Sequence, residues 1–105
     1  MTAPFVSPSP ATLLHCYASD LLMAERTCAR HGLPDQAAAL ADIRSQLHAV
    51  ADAAELGAPN LGAAVEAQAA RLEGVRRACQ GARVMWPGTA AGGVARDLRH
   101  LVPRL

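Results

Sequence analysis

The spacing of apolar residues along the chain predicts helices and no strand. The clearest stretch begins at Leu61, where apolar positions recur at steps of three and four residues, as on one face of a helix. These positions are Leu61, Val65, Ala69, Leu72, Val75, Cys79, Ala82 and Trp86. We expect this long helix to be capped by Asn60 and to end at Trp86-Pro87-Gly88. Proline disfavours the helical conformation of the residue before it, and glycine permits a reversal of the chain.

Two further helices are predicted before this stretch. The first covers residues 10–31, with Ser9 as its N-cap and Gly32 as its C-terminal stop. The second covers about residues 36–56, with Asp35 as its N-cap. Its apolar stripe consists of Leu40, Ile43, Leu47, Val50 and Ala54.

A fourth, shorter helix is predicted after the Trp86-Pro87-Gly88 break, with Thr89 as its cap. Its apolar face consists of Val94, Leu98, Leu101 and Leu105. Loops of about three to six residues make consecutive helices antiparallel neighbours. The expected fold is therefore all-α, an up-down helical bundle of three long helices and one short C-terminal helix. Residues 10–105 form one domain, preceded by a flexible N-terminal segment, residues 1–9, that is rich in Pro, Ser and Thr.

Composition strengthens the helical prediction and suggests a partner. The 105 residues include 24 Ala and only three aromatic side chains. Alanine has the highest intrinsic helix propensity, but each buried alanine removes little apolar surface from water. Such a core is weak, and we expect association with a protein partner or with a second copy to stabilise it.

Charge is uneven along a chain whose net charge is only +1. Residues 1–60 carry a balance of −3, and residues 61–105 carry a balance of +4, all of the basic residues being Arg. The two halves can neutralise each other within the bundle, or the arginines can form a face for an acidic partner. No aromatic side chain lies among the arginines of the third helix, so we expect no nucleic-acid partner.

The cysteines and histidines do not form a recognisable metal motif. Cys28 and His31 are three residues apart on a helix end, which supplies half of a metal site at most. Cys16 and Cys28 are twelve residues apart, about 120° around a helix, so they do not converge, and buried cysteine is the simpler interpretation. The sequence therefore predicts no metal site and no cofactor. It also contains no catalytic constellation, so a non-enzymatic protein is expected.

His48 supports an alternative hypothesis, a histidine phosphotransfer-like signalling bundle. Such domains are small helical bundles with an exposed histidine. Their motif has Lys and Gly at the third and fourth positions after the histidine, where this chain has Ala51 and Asp52. The competing interpretation is a solvated polar row at helical spacing, Arg44, His48 and Asp52.

The segment Ala82–Ala91, with Trp86-Pro87-Gly88 at its centre, resembles the Trp-x-Gly helical-hairpin family associated with bacterial type VII secretion. The resemblance covers residues 61–102. It implies a helical hairpin, assembly into dimers or four-helix complexes, and export without a cleaved signal peptide. The residues expected to form the partner-binding or packing motif are Trp86, Gly88, Val84, Met85, Leu98 and Leu101. Alternatively, Trp86 only packs a helix end against the core.

The function expected from the sequence is protein–protein contact, specifically as a type VII secretion-associated substrate or partner. The alternatives are the phosphotransfer-like bundle and a small helical chaperone or adaptor of a bacterial secretion apparatus. The sequence has no apolar run long enough for a membrane span and no secretory signal peptide. A cytoplasmic protein is expected, with export without a cleaved signal as the alternative that the resemblance implies.

Overall fold

The computed structural model describes residues 8–105, and four helices account for most of them. The helices are α1 (Pro10–Arg30), α2 (Pro34–Glu55), α3 (Gly62–Gly81) and α4 (Met85–Leu101), followed by a 3₁₀ turn at Val102–Arg104. The described part of the chain contains no strand, which confirms the all-α prediction. The predicted flexible segment, residues 1–9, lies outside the described residues apart from Pro8 and Ser9.

The helices pack in sequence order around a common core. Each of α1 and α3 contacts both α2 and α4. His15 of α1 lies against His48 of α2, whereas the later Glu25 lies against the earlier Arg44, so α1 and α2 are antiparallel. Short turns, such as the one at residues 82–84, favour this arrangement of neighbouring helices.

The core is apolar, and Leu and Ala are its most frequent side chains. It consists of Leu14, Ala18, Leu21, Ala24, Cys28, Leu40, Ile43, Leu47, Ala51, Val65, Ala69, Leu72, Val75, Cys79, Ala91, Val94, Ala95, Leu98 and Leu101. Within residues 8–105 no polar or charged side chain is buried. The stripe predicted for the third helix agrees with this core from Val65 to Cys79, whereas Leu61 is half-buried and Ala82 and Trp86 are exposed. In α2 the stripe shifts toward its C-terminal end, where Ala51 is buried and Val50 is only half-buried.

Helices α1, α2 and α3 end in the same hydrogen-bonded turn, with one residue at positive φ. The residue is Gly32 after α1 (φ 70°), Gly57 after α2 (φ 78°) and Arg83 after α3 (φ 60°). At the end of α3 the Arg83 N–H donates to the Gln80 carbonyl and the Val84 N–H donates to the Cys79 carbonyl, both at 3.0 Å. This pair of bonds defines a Schellman motif, in which glycine usually occupies the positive-φ position.

The predicted end of the third helix is wrong. Helix α3 ends at Gly81, residues 82–84 form the turn, and Trp86-Pro87-Gly88 lies in the first turn of α4. The physical reason is that proline is tolerated in a first helical turn, where backbone N–H groups have no partner within the helix. Helix α4 therefore begins at Met85 and spans 17 residues, which still makes it the shortest of the four helices.

The N-caps were predicted with mixed success. Ser9 is confirmed, because its Oγ accepts a hydrogen bond of 3.2 Å from the Thr12 N–H. The other three N-caps are Leu33, Leu61 and Val84, rather than Asp35, Asn60 and Thr89. None of these three has a side-chain capping bond. Asp35 instead lies within the first turn of α2, where its negative charge is favourable to the helix dipole.

Candidate functional site

The side chains of Met85 and Trp86 are exposed at the start of α4. Their exposed fractions are 62% and 51%, although tryptophan and methionine usually avoid water. Val84, in the preceding turn, is half-buried. Packing of a helix end against the core involves only part of the Trp86 side chain, since half of its surface faces solvent.

Gly88, by contrast, lies in the contact between α3 and α4. A Cβ atom at this position would lie 3.0 Å from the Cβ of Cys79 and 3.3 Å from the carbonyl oxygen of Arg76. Glycine therefore allows the two helices to approach closely. Leu98 and Leu101, farther along α4, are buried in the core. The six residues predicted as one motif thus divide into an exposed pair, a half-buried Val84 and a packed trio.

Exposed arginines lie at the same end of the bundle as Trp86. This end consists of the last residues of α1 and α3 and the first residues of α2 and α4. We define the basic end by its exposed side chains, which are Arg26, Arg30, Arg77, Arg83, Met85 and Trp86. None of these arginines forms an ion pair within residues 8–105. Nearby Glu25 is already paired with Arg44 at 3.0 Å. Exposed Asp35, in the first turn of α2, adds one negative charge at this end, so the four arginines leave an excess of positive charge.

A second cluster of polar side chains lies between α1 and α2. The Nδ1 atoms of His15 and His48 are 2.7 Å apart, and the two ring centroids are separated by 5.0 Å. One Nδ1 must donate and the other must accept for this hydrogen bond to form. The pair thereby fixes the orientation of both half-buried rings.

The other nitrogen of His15 faces two carboxylates of α2. Its Nε2 lies 3.4 Å from Asp52 Oδ1 and 3.5 Å from Glu55 Oε1. The three ligand-type atoms all lie within 4.8 Å of one another. We call these three residues together with His48 the histidine–carboxylate cluster.

The sequence prediction missed this cluster. The polar row Arg44, His48 and Asp52 was recognised, but Arg44 instead pairs with Glu25, and His15 comes from the neighbouring helix. One local signal was available: His48, Asp52 and Glu55 follow one another at spacings of four and three residues, so they share a helix face.

The cysteine–histidine pair considered in the sequence does not converge. Cys28 is buried, with its Sγ 4.0 Å from the Sγ of Cys79, whereas His31 is exposed at the end of α1. Cys16 is exposed. The cysteines of the described chain therefore form no metal site with a histidine, and the ligand-type atoms converge elsewhere.

A pocket of about 450 Å³ adjoins the histidine–carboxylate cluster. Its lining is Ser9, Pro10, Ala11, Ala54, Glu55, Ala58, Leu61, Arg104 and Leu105. Glu55 belongs to both the pocket and the cluster. Arg104 donates a hydrogen bond of 3.3 Å to the Pro8 carbonyl. The pocket lies at the opposite end of the bundle from Trp86.

No protein-family model matches the chain, and no curated protein or solved structure matches it. By its fold, the protein is a four-helix bundle. Two surface features are candidates for its functional site: the basic end and the histidine–carboxylate cluster. In the part of the chain that the structure describes, every helix is too short or too polar to cross a membrane.

Proposed function

We propose that the chain is a non-enzymatic protein-binding bundle whose basic end contacts an acidic protein partner. The observation that carries this proposal is the exposure of Met85 and Trp86 at the end of the bundle that also carries four unpaired arginines. Tryptophan, methionine and arginine are enriched at protein interfaces, and tryptophan and arginine dominate their binding energy. The exposed ring supplies an apolar anchor, and the arginines supply charge complementarity.

Charge favours a different protein over a second copy as the partner. A symmetric dimer through the basic end would bring two sets of arginines together, including Arg83 and Arg77 of each copy. Repulsion between like charges opposes such a contact. A partner that presents Asp or Glu around an apolar patch meets the same surface with attraction.

The specific version of this proposal is a substrate or partner of type VII secretion. It is supported by the antiparallel α3–α4 hairpin and by the position of Trp86-Pro87-Gly88, directly after the turn of that hairpin. A chaperone or adaptor of a bacterial secretion apparatus would use the same surface. Both versions require contact through Trp86, and they differ only in the identity of the partner.

The phosphotransfer hypothesis gains less support from the geometry. His48 is half-buried and its Nδ1 is already hydrogen-bonded to His15. Asp52 lies one helical turn away and opposes an incoming phosphoryl group, which itself carries negative charge. Protein binding therefore remains the preferred proposal.

The test begins with a photo-reactive amino acid in place of the exposed Met85, which leaves Trp86 intact, to identify the partner in the native host. The purified partner is then titrated into the wild-type chain by calorimetry. We expect Trp86→Ala to weaken binding at least tenfold, which is about 1.4 kcal/mol. Arg83→Glu should also weaken binding, and more at low salt than at high salt, because it reverses a charge facing an acidic surface.

The control is Leu56→Ala, which removes another exposed apolar side chain at the opposite end of the bundle. Its affinity for the partner should equal that of the wild type. Equal affinity of the Trp86→Ala variant would contradict the proposal. Light scattering adds a second check: a dimer that Trp86→Ala converts to a monomer would show that the partner is a second copy instead.

A further inference from the structure

We propose that His15, Asp52 and Glu55 bind a divalent transition-metal ion, with Zn²⁺ as the best-fitting ion. His48 acts as a positioning residue that holds His15. The site is independent of the basic end, which lies at the other end of the bundle. The proposal rests on three observations: the spacing of the ligand atoms, the hydrogen bond behind His15 and the charge at the end of α2.

The spacing suits a tetrahedral ion. Zinc binds histidine nitrogen and carboxylate oxygen at about 2.0–2.2 Å, which puts neighbouring ligand atoms of a tetrahedral site about 3.3–3.6 Å apart. His15 Nε2 lies 3.4 Å from Asp52 Oδ1 and 3.5 Å from Glu55 Oε1. The two carboxylate oxygens lie within 4.8 Å of each other. Both contacts of Nε2 are also within the range of a histidine–carboxylate ion pair, and neither has hydrogen-bond geometry.

The hydrogen bond to His48 prepares His15 for a metal. A metal-bound histidine almost always donates its other ring N–H to a neighbouring acceptor, and this bond sets both tautomer and ring orientation. When His15 Nδ1 donates across the 2.7 Å contact to His48 Nδ1, the His15 Nε2 carries a lone pair. That lone pair then faces the two carboxylates. The three electron-rich atoms repel one another, and a cation bound between them would be stabilised by all three.

The end of α2 supplies the electrostatic reason for a cation. Asp52 and Glu55 lie in the last turn of the helix, where the helix dipole is negative and no basic residue is present. Their side chains are 70% and 58% exposed, so solvent screens part of their repulsion of the dipole and of each other, and a bound cation relieves the remainder. Arg104 lines the pocket beside Glu55 but forms no ion pair with it among the described residues.

The donor set selects the ion. One imidazole nitrogen and two carboxylate oxygens suit Zn²⁺ and its neighbours in the first transition series, whereas Mg²⁺ and Ca²⁺ favour oxygen donors alone. Three protein ligands leave the fourth tetrahedral position to water. Because Glu55 also borders the pocket, a small anionic ligand in the pocket could take this position instead.

The first experiment titrates Zn²⁺ and Co²⁺ into the full chain carrying Cys16→Ser. This background removes the exposed thiol that follows His15 in sequence and could capture the metal. We expect one ion per chain by calorimetry. The visible spectrum of the Co²⁺ form should show four-coordinate geometry without a thiolate charge-transfer band, because all three protein ligands are N or O donors.

Variants locate the site. His15→Ala, Asp52→Asn and Glu55→Gln should each weaken Zn²⁺ binding at least tenfold. The matched controls His31→Ala and Asp20→Asn alter exposed residues outside the cluster and should bind as the background protein does. Circular dichroism checks that each variant keeps its helical content, so that a loss of binding reports the site rather than unfolding.

The role of His48 has its own readout. His48→Ala should weaken binding by about 10–100-fold, as expected for a residue that orients a ligand. Nitrogen chemical shifts of the His15 ring should show a single Nδ1–H tautomer in the background protein and a mixture in His48→Ala. A purely structural role would leave the tautomer unchanged.

The proposal is overturned if the background protein binds no Zn²⁺ at micromolar concentrations. It is also overturned if the triple variant His15→Ala, Asp52→Asn, Glu55→Gln binds as tightly as the background. A Co²⁺ spectrum with thiolate character would contradict the assigned ligands in the same way. None of these results bears on partner binding through Trp86, so the two proposals can fail separately.

Discussion

Cys28 of α1 and Cys79 of α3 lie with their Sγ atoms 4.0 Å apart, and both side chains are fully buried. The two cysteines bring α1 and α3 into contact, although these helices lie diagonally opposite each other in the bundle. Burial raises the pKa of the Cys28 thiol from its ordinary value of 9.0 to about 11, and the adjacent Cys79 adds to the rise. Both residues therefore act as small apolar groups in the core.

The first prediction concerns stability at alkaline pH. The native pKa of Cys28 lies above its unfolded value, so its contribution to stability is complete below about pH 9 and is lost as the pH rises toward 11. We expect the free energy of unfolding, measured with urea, to fall across this window. Cys28→Ala should show a shallower fall with pH, whatever its absolute stability.

Tyr17 provides the reason for comparing slopes. Burial, together with the Asp97 carboxylate, raises the pKa of Tyr17 above 10.0, so its titration destabilises the fold in an overlapping range. The Tyr17 contribution is the same in the wild type and in Cys28→Ala, so it cancels when the pH dependence of one protein's free energy of unfolding is subtracted from that of the other. Identical slopes for the wild type and Cys28→Ala would contradict the prediction.

The second prediction contrasts two glycines of α4. Gly88→Ala should lower the free energy of unfolding by about 1–3 kcal/mol, because its Cβ would lie 3.0 Å from Cys79 and force α3 and α4 apart. Gly93→Ala meets nothing within 4 Å and should raise stability by up to about 1 kcal/mol through helix propensity. Urea unfolding measures both, and equal effects would show that close packing at Gly88 is unimportant.

The third prediction concerns the left-handed residue that ends α3. Arg83 has φ 60°, a conformation that costs a non-glycine residue about 1–2 kcal/mol. Arg83→Gly should therefore stabilise the fold by about 0.5–1 kcal/mol, since glycine's greater freedom in the unfolded chain offsets part of the gain. The reverse change at the equivalent position of α1, Gly32→Ala, should destabilise it by a similar amount. Thermal unfolding would contradict the prediction if both variants shifted Tm in the same direction.

The fourth prediction separates a binding role of Trp86 from a packing role. Trp86→Ala should lower the free energy of unfolding by no more than about 1 kcal/mol, because half of the side chain is exposed. Leu98→Ala, which empties a fully buried site on the same helix, should cost about 2–5 kcal/mol. If Trp86→Ala lowered the free energy of unfolding as much as Leu98→Ala does, Trp86 would be a packing residue of the core.

Part of the fold could be predicted because its signals are local. Helix periodicity placed Val65, Leu72 and Cys79 on one buried face, and the Ser9 cap follows from neighbouring residues alone. The error at Trp86-Pro87-Gly88 came from a signal with two meanings. Proline both stops a helix and suits the first turn of the next one. Helix α3 ends earlier because Arg83 adopts a positive φ, a conformation that is uncommon for arginine and is not predicted from its residue type.

The sequence by itself determined that this protein is helical, where its core stripes lie and that its arginines concentrate in the second half. These properties depend on intrinsic propensity and on residues three or four positions apart. The tertiary structure decided which side chains meet. His15 reaches Asp52 and Glu55, and Gly88 meets Cys79, only because antiparallel packing sets the register between helices. That register results from the fit of complete helix faces, which no local stretch of sequence encodes.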